Sequence, residues 1–260
     1  MNVDECTFMT SAGETTLAEL VARHPALAGE FEGLGFDYCC HGDRTLAESC
    51  AASGLPLQEA LTVVARELTR HDRPYQVHWP ELCLVDLVDH IQDVHHRYLH
   101  LELPFLAALS ARAVSADGGH HPELARVAAL VCLLHDELFP HLAREEKIVF
   151  PAIRDLAAGH SGFAFGSVSN PIAVVMAEHD RVSGVLRELR EVTSGFAVPQ
   201  DATQHHRRLY ERLSAVESDT HVHVMKENSF LFPRAVVLEA ALGERTVTSA
   251  AAPTTRVGYR

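Results

Sequence analysis

The sequence predicts an all-α protein, an up-down four-helix bundle preceded by a small helical N-terminal domain. Three observations carry this reading. From Glu81 onward apolar residues recur at spacings of three and four, as in Leu84, Leu87, Val88, Ile91 and Val94, which gathers them on one helix face. The stretches between these runs, SADGGHH, AGHSGFAFGSVSN and TSGFAVPQ, are polar and rich in helix breakers. Apolar–polar alternation, the mark of a half-buried strand, is nearly absent. Short connections between long helices make sequential neighbours antiparallel.

The elements follow in order. Residues 1–14 read as a loose arm and residues 15–70 as the small domain. In it, TLAELVARHPALAGEFEGLG holds two short helices, the second opened near Pro25 and stopped by Gly33 and Gly35. DYCCHGDR is a loop, TLAESCAASG a third helix stopped at Gly54, and Pro56-Leu57 opens a fourth running to about Arg70. A unit of about 55 residues is barely large enough to stand alone. Residues 71–80 carry two prolines and no clean period, and read as a linker. The bundle occupies 81–241, with helices at about 82–112, 122–157, 171–193 and 201–240. Asn170-Pro171 has the N-cap and first-turn chemistry to start the third. Residues 242–260 read as a disordered tail.

Composition narrows the function. A formal charge of −13 argues against nucleic acid and anionic membranes as partners. No apolar run reaches the ~18–20 residues of a membrane span. The opening MNVDECTFMTSAGETT lacks a basic segment followed by an apolar core, so no secretory signal is read there. Cys6, Cys39, Cys40, Cys50, Cys83 and Cys132 are scattered rather than arranged as a disulfide framework. A cytoplasmic, reducing location is expected.

The anomaly is histidine, 18 residues of it. HLAREEKIVFP starts at His141 and HVMKENSFLFP at His223. Each reads His, three residues, Glu, a polar residue, three more, then Phe-Pro. Residues four apart stack on one helix face, so His141 meets Glu145 and His223 meets Glu227. One such pair alone would be an ordinary solvated ion pair worth a few tenths of a kcal/mol. The repetition argues otherwise. It extends to the preceding helices, where DVHHRYL carries His96 and MAEHDRV carries His179 at nearly equal intervals before the two pairs. The chain thus reads as one helix pair used twice.

Packed together, the pairs would aim His96, His141, Glu145, His179, His223 and Glu227 into one core. Buried carboxylates without a cation cost several kcal/mol per ion. Two metal ions remove that cost, with two terminal imidazoles each and both carboxylates shared. Positions remain for an oxo or hydroxo bridge and a small ligand. Imidazole with carboxylate suits iron, manganese or zinc, and the absence of cysteine argues against a structural zinc or iron–sulfur site. On the first helix His90, His95, His96 and His100 compete. The apolar stripe admits His95 as readily as His96, and the interval to the next ligand favours His96. His135 points off the ligand face. Glu137 and Glu178 are expected along an access path, and Glu146 on a solvated face.

On these residues the bundle resembles a hemerythrin-like domain, and the chain over about 15–240 resembles the Repair of Iron Centres di-iron proteins. The N-terminal unit, similar to the ScdA-N type, carries Asp37-Tyr38-Cys39-Cys40. The first bundle helix carries HHRYLHLELP, whose family ligand falls on His96. The two HxxxE…FP blocks and the EHD of Glu178–Asp180 complete the likeness. The resemblance implies a non-haem, oxo-bridged centre of two Fe ions. It implies repair of iron–sulfur clusters damaged by nitric oxide or oxidants, by iron donation more than by classical enzyme turnover. Partners would be the damaged iron–sulfur proteins, with nitric oxide or oxygen as small ligands; a homodimer is compatible with it. Cys39 and Cys40 would serve iron transfer or redox chemistry, from a loop expected to be exposed. His41 departs from the family pattern, and could add a ligand there or lower a thiol pKa. Two other functions use the same centre: an enzyme reducing nitric oxide or peroxide, and an oxygen or nitric oxide sensor.

Overall fold

The structure is a computed structural model that describes residues 12–69 and 79–250. Residues 1–11 of the arm, 70–78 of the linker and 251–260 of the tail lie outside the described residues. Among the described residues no sheet forms, and two isolated β-bridges, Thr16 with Thr45 and Phe163 with Gly166, are the only extended pairings.

Among the described residues, 15–69 hold four helices: α1 (Leu17–Arg23), α2 (Leu27–Leu34), α3 (Leu46–Ser53) and α4 (Leu57–Thr69). Their ends follow from local chemistry. The Thr16 hydroxyl accepts from the Glu19 N–H, and Thr45 and Glu48 form a reciprocal capping box. Gly35 and Gly54 close α2 and α3 in the left-handed region, where a Cβ would be strained.

The bundle has four rods. α5 runs Leu84–Ile91, a π-turn Gln92–His96, then Arg97–Asp117; α6 runs Glu123–Arg144, a π-turn Glu145–Val149, then Phe150–Ala157. α7 is Ser169–Val192, and α8 runs Gln204–Lys226, a π-turn Glu227–Leu231, then Phe232–Ala250. The last rod therefore continues past residue 242, where the sequence suggested a tail. The start of α7 also differs. Asn170 lies inside the helix and donates to the Phe165 carbonyl, while the Val168 N–H is capped from afar by Glu239. A cap supplied from a distant helix has no local sequence signature. α5 packs against α6 and α8, and α6 against α7. No helix among the described residues is long and apolar enough to cross a membrane.

The apolar interior falls into two clusters. One, with Leu99, Leu103, Leu130, Leu134, Leu186 and Leu213, fills the far half of the bundle. The other joins Leu87, Ile91, Phe150, Val224 and Phe232 to Leu27, Phe31, Tyr38 and Leu46 of the small domain. Each large side chain buried there contributes about 1.5–3 kcal/mol, so the small domain is held by the same interior as the bundle. Gly42 sits at a close approach of the two. A Cβ there would overlap the Tyr38 carbonyl oxygen and stand 2.9 Å from both Ala18 Cβ and the Ser229 hydroxyl on α8. Between the clusters lies a polar layer.

Candidate metal centre

Four rods each send inward-facing polar side chains into that layer. His96 comes from α5, His141 and Glu145 from α6, His179 from α7, His223 and Glu227 from α8, and all are buried. The two carboxylates have no exposed surface. As the four-residue spacing requires, His141 Nε2 lies 3.3 Å from Glu145 Oε2, and His223 Nε2 lies 3.0 Å from Glu227 Oε1. All six predicted side chains therefore meet.

Their donor atoms fall into two sets, each within a 4.8 Å span: His96, Glu145, His223 and Glu227, and His141, Glu145, His179 and Glu227. Both carboxylates belong to both sets. The pairing crosses the sequence repeat, because each set takes one histidine from α5–α6 and one from α7–α8. The two helices of one repeat do not build a half-site between them.

The π-turns shape the layer. In each, an N–H reaches back five residues rather than four: Phe150 to the Glu145 carbonyl, Phe232 to Glu227, Arg97 to Gln92. Pro151 and Pro233 lack an N–H, so Lys147 and Ser229 lose their usual helical donor, and the wider turn absorbs that loss. The repeated Phe-Pro is the sequence trace of this bulge. Nothing local marks the bulge at Gln92–His96.

On α5 the distances to the other donor atoms distinguish His95 from His96. His95 and His96 both face inward. His96 Nε2 stands 3.3 Å from Glu145 Oε2 and 3.2 Å from His223 Nε2, inside the box. Both nitrogens of His95 are engaged elsewhere. Its Nε2 accepts from Lys226 Nζ at 2.7 Å, and its Nδ1 donates to Asp219 at 2.9 Å. Its ring stacks flat on His223, with centroids 5.4 Å apart.

The donor set fits a cation. His141 Nε2, His179 Nε2, both Glu145 oxygens and Glu227 Oε2 are buried without a hydrogen-bond partner, although imidazole nitrogens stand 3.2 to 3.7 Å from the carboxylates. Buried polar atoms are normally paired, and here their lone pairs converge instead. In a metal-free chain protons balance the carboxylates. Burial opposes charge on His96 and His179, yet Glu145 and Glu227 overcome it, holding His96 well above its usual pKa and His179 at about 10. Burial and the neighbouring Glu227 charge push Glu145 upward, but His141, His179 and His96 outweigh them and hold it at about 2.

Residues outside the box orient the ligands. Glu146 accepts from His96 Nδ1 at 3.0 Å and from His100 Nε2 at 2.9 Å. Glu178, itself paired with Arg144, accepts from His141 Nδ1 at 3.0 Å. His179 Nδ1 donates to Asn228 Oδ1 at 3.0 Å. Glu146 is thus no solvated face, and Asn228 escaped the sequence reading altogether. The signal was present, since both are the polar residue that follows a shared carboxylate. Glu137 pairs with Arg181 on the exposed surface, away from the box, and His135 stacks on Phe139.

The cysteine loop docks on α7 and α8. Against expectation Cys39 is buried, 4% exposed, and Cys40 is half-buried. Cys40 Sγ lies 3.7 Å from Cys39 Sγ and 3.2 Å from the Ser183 hydroxyl. Asp37 accepts from the Cys40 N–H and from Cys39 Sγ, and its oxygen and the two sulfurs form a further cluster within 4.8 Å. The Cys39 thiol, bonded to Cys40 and buried, is pushed well up, while the same bond and Ser183 lower Cys40. His41 holds Asp37 at 2.7 Å. A second tie runs through Glu32, which accepts from Tyr38, Ser218 and His221.

The chain is similar to known proteins. Residues 87–235 match the hemerythrin HHE cation binding domain, and residues 13–69 match a domain of unknown function, DUF542 or ScdA_N. A curated iron-sulfur cluster repair protein, YtfE of Enterobacter sp. (strain 638), is 31% identical over 225 residues, covering 86% of this chain and 97% of the relative. The proteins of that name from Escherichia coli O17:K52:H18 and Shigella boydii serotype 4 are each 30% identical over 226 residues, with the same coverage.

Proposed function

This chain belongs to the hemerythrin HHE cation-binding family, and from that premise we propose that it holds two iron ions in the His–Glu box and gives iron up to repair damaged iron–sulfur proteins. One observation carries the reading: two overlapping donor sets share both buried carboxylates. His96 and His223 would hold one ion and His141 and His179 the other, with Glu145 and Glu227 within reach of both. When bound, the iron pair supplies redox-active Lewis acids with room for a small ligand such as nitric oxide or oxygen.

The protein's own residues do the rest. Glu146, Glu178 and Asn228 hold Nδ1–H of three ligand imidazoles, which aims Nε2 into the box. The apolar clusters on either side keep water from competing for the carboxylates. His96 and His179, held protonated in the metal-free chain, would each have to give up the Nε2 proton to serve as a ligand, so affinity would fall in acid. Cys40, with its lowered pKa, is the readier thiolate to receive an ion in transit, with Cys39 and Asp37 beside it. Clients are iron–sulfur proteins damaged by nitric oxide or oxidants. The free thiols of Cys39, Cys40, Cys50, Cys83 and Cys132 suit a reducing cytoplasm.

The test is iron transfer. Purified protein should carry about two irons per chain and rebuild the cluster of an apo-ferredoxin. The Cys39→Ala/Cys40→Ala variant should keep its iron and lose the transfer. Steady turnover of nitric oxide or peroxide with all iron retained would replace this reading with the enzymatic one.

A further inference from the structure

Asn228 occupies in the second repeat the place that Glu146 occupies in the first. Both back an imidazole at 3.0 Å. A carboxylate can only accept, whereas a primary amide accepts and donates. Asn228 uses both functions. Its Oδ1 receives His179 Nδ1–H, and its Nδ2 donates to the Cys39 carbonyl at 3.3 Å. A single side chain thus joins a histidine of the box to the backbone of the cysteine loop. One helical turn beyond His179, the Ser183 hydroxyl touches the Cys40 sulfur of that loop.

The imidazole dictates how the amide lies. A histidine that binds a cation through Nε2 keeps its proton on Nδ1. That N–H requires an oxygen opposite, so Oδ1 must face His179 and the amide nitrogen must face Cys39. His96 and His141 lead instead to Glu146 and Glu178, which touch no residue of the loop, and His223 Nδ1 has no hydrogen bond. Of the four imidazoles, His179 alone is wired to the cysteines.

We propose that Asn228 is a positioning residue that couples the metal position of His141 and His179 to the docking of the Cys39–Cys40 loop. Without an ion the His179 imidazolium already donates Nδ1–H to the amide; an ion on Nε2 would pin the ring itself, so that the amide and the loop it clamps move less, and a loop drawn away loosens that ion. The inference rests on the reading of the box as a metal centre. Coupling of this kind is reciprocal, with one factor governing both directions. A client that engages the loop would draw on one position and leave the other filled.

Cys39 reports the clamp because it is buried, 4% exposed. The experiment measures iodoacetamide labelling of Cys39 in the full chain, by peptide mass spectrometry, without metal and after anaerobic loading with iron(II). Loading should slow labelling of the wild type about tenfold, a typical coupling factor. In Asn228→Asp the carboxylate still accepts from His179 but cannot donate to Cys39. Compared with wild type at equal iron content, that variant should lose the slowing. Asn228→Ala should lose the slowing and also bind one ion about 10-fold more weakly. Ser183→Ala, which leaves the amide bridge intact, should behave as wild type. Protection of Cys39 by iron in Asn228→Asp overturns the proposal, and direct capture of iron by the two thiols would give that same result. A wild type that binds no iron defeats the metal reading beneath it; one that binds iron without protecting Cys39 defeats the coupling alone.

Discussion

The two repeats of the bundle spell one motif and meet in one box, yet they support their histidines differently. In α5–α6 both imidazoles end on carboxylates, His96 on Glu146 and His141 on Glu178. In α7–α8 His179 ends on a neutral amide, and His223 Nδ1, beneath the stacked ring of His95, makes no hydrogen bond. A carboxylate partner makes imidazole the stronger base and ligand. Had each repeat built its own metal position, one would be strong and the other weak. Pairing across the repeats gives each position one imidazole of each kind. The neutral amide also does what a carboxylate cannot, because it donates to a second element.

The largest test removes what the halves share. Glu145→Ala or Glu227→Ala should each abolish binding of both ions, read as metal content beside a far-UV spectrum showing the helices intact. A variant that keeps one ion would show that the carboxylates are not shared. Next come double substitutions that separate the two pairings. His96→Ala/His223→Ala should cost one ion, and His96→Ala/His141→Ala both. The reverse result would point to a half-site built within one repeat. His95→Ala should leave the metal content unchanged, since both its nitrogens face away from the box.

Smaller effects sharpen the difference between the repeats. Glu146→Gln and Glu178→Gln should each weaken metal binding by about 10-fold, the lower end for loss of a ligand's hydrogen-bond partner, as competition with a chelator would show. Smallest is a dependence on acid. In the metal-free protein the hydrogen bond from His96, with help from His100, holds Glu146 at about 2, below the ~4.3 of an unfolded glutamate. A depressed carboxylate stabilises the fold above its unfolded pKa, and that share is lost as pH falls toward 2. Denaturant unfolding between pH 5 and 2 should therefore show a shallower decline in Glu146→Gln than in wild type.

The residues differ in how legible they were. Four-residue spacing made the pairs of His141 with Glu145 and His223 with Glu227 readable, because helix geometry alone stacks them. The repeated Phe-Pro was visible as an echo, but its cause, a turn widened where proline withholds its N–H, needed the backbone. His96 against His95 could not be decided from periodicity, since the bulge at Gln92–His96 turns both inward. Glu146 and Asn228 went unrecognised because an ideal helix rotates them off the ligand face. The burial of Cys39 depends on α7 and α8, far along the chain.

By itself the sequence determined the helices, their order, and the two His–Glu pairs able to hold a cation, because periodicity and i,i+4 stacking are properties of neighbouring residues. Only the tertiary structure decided which histidine joins which, what stands behind each imidazole, and that the cysteine loop rests one amide away from His179. Those contacts join residues on different rods. Their distances are set by how the helices pack around two apolar clusters, which no local pattern encodes.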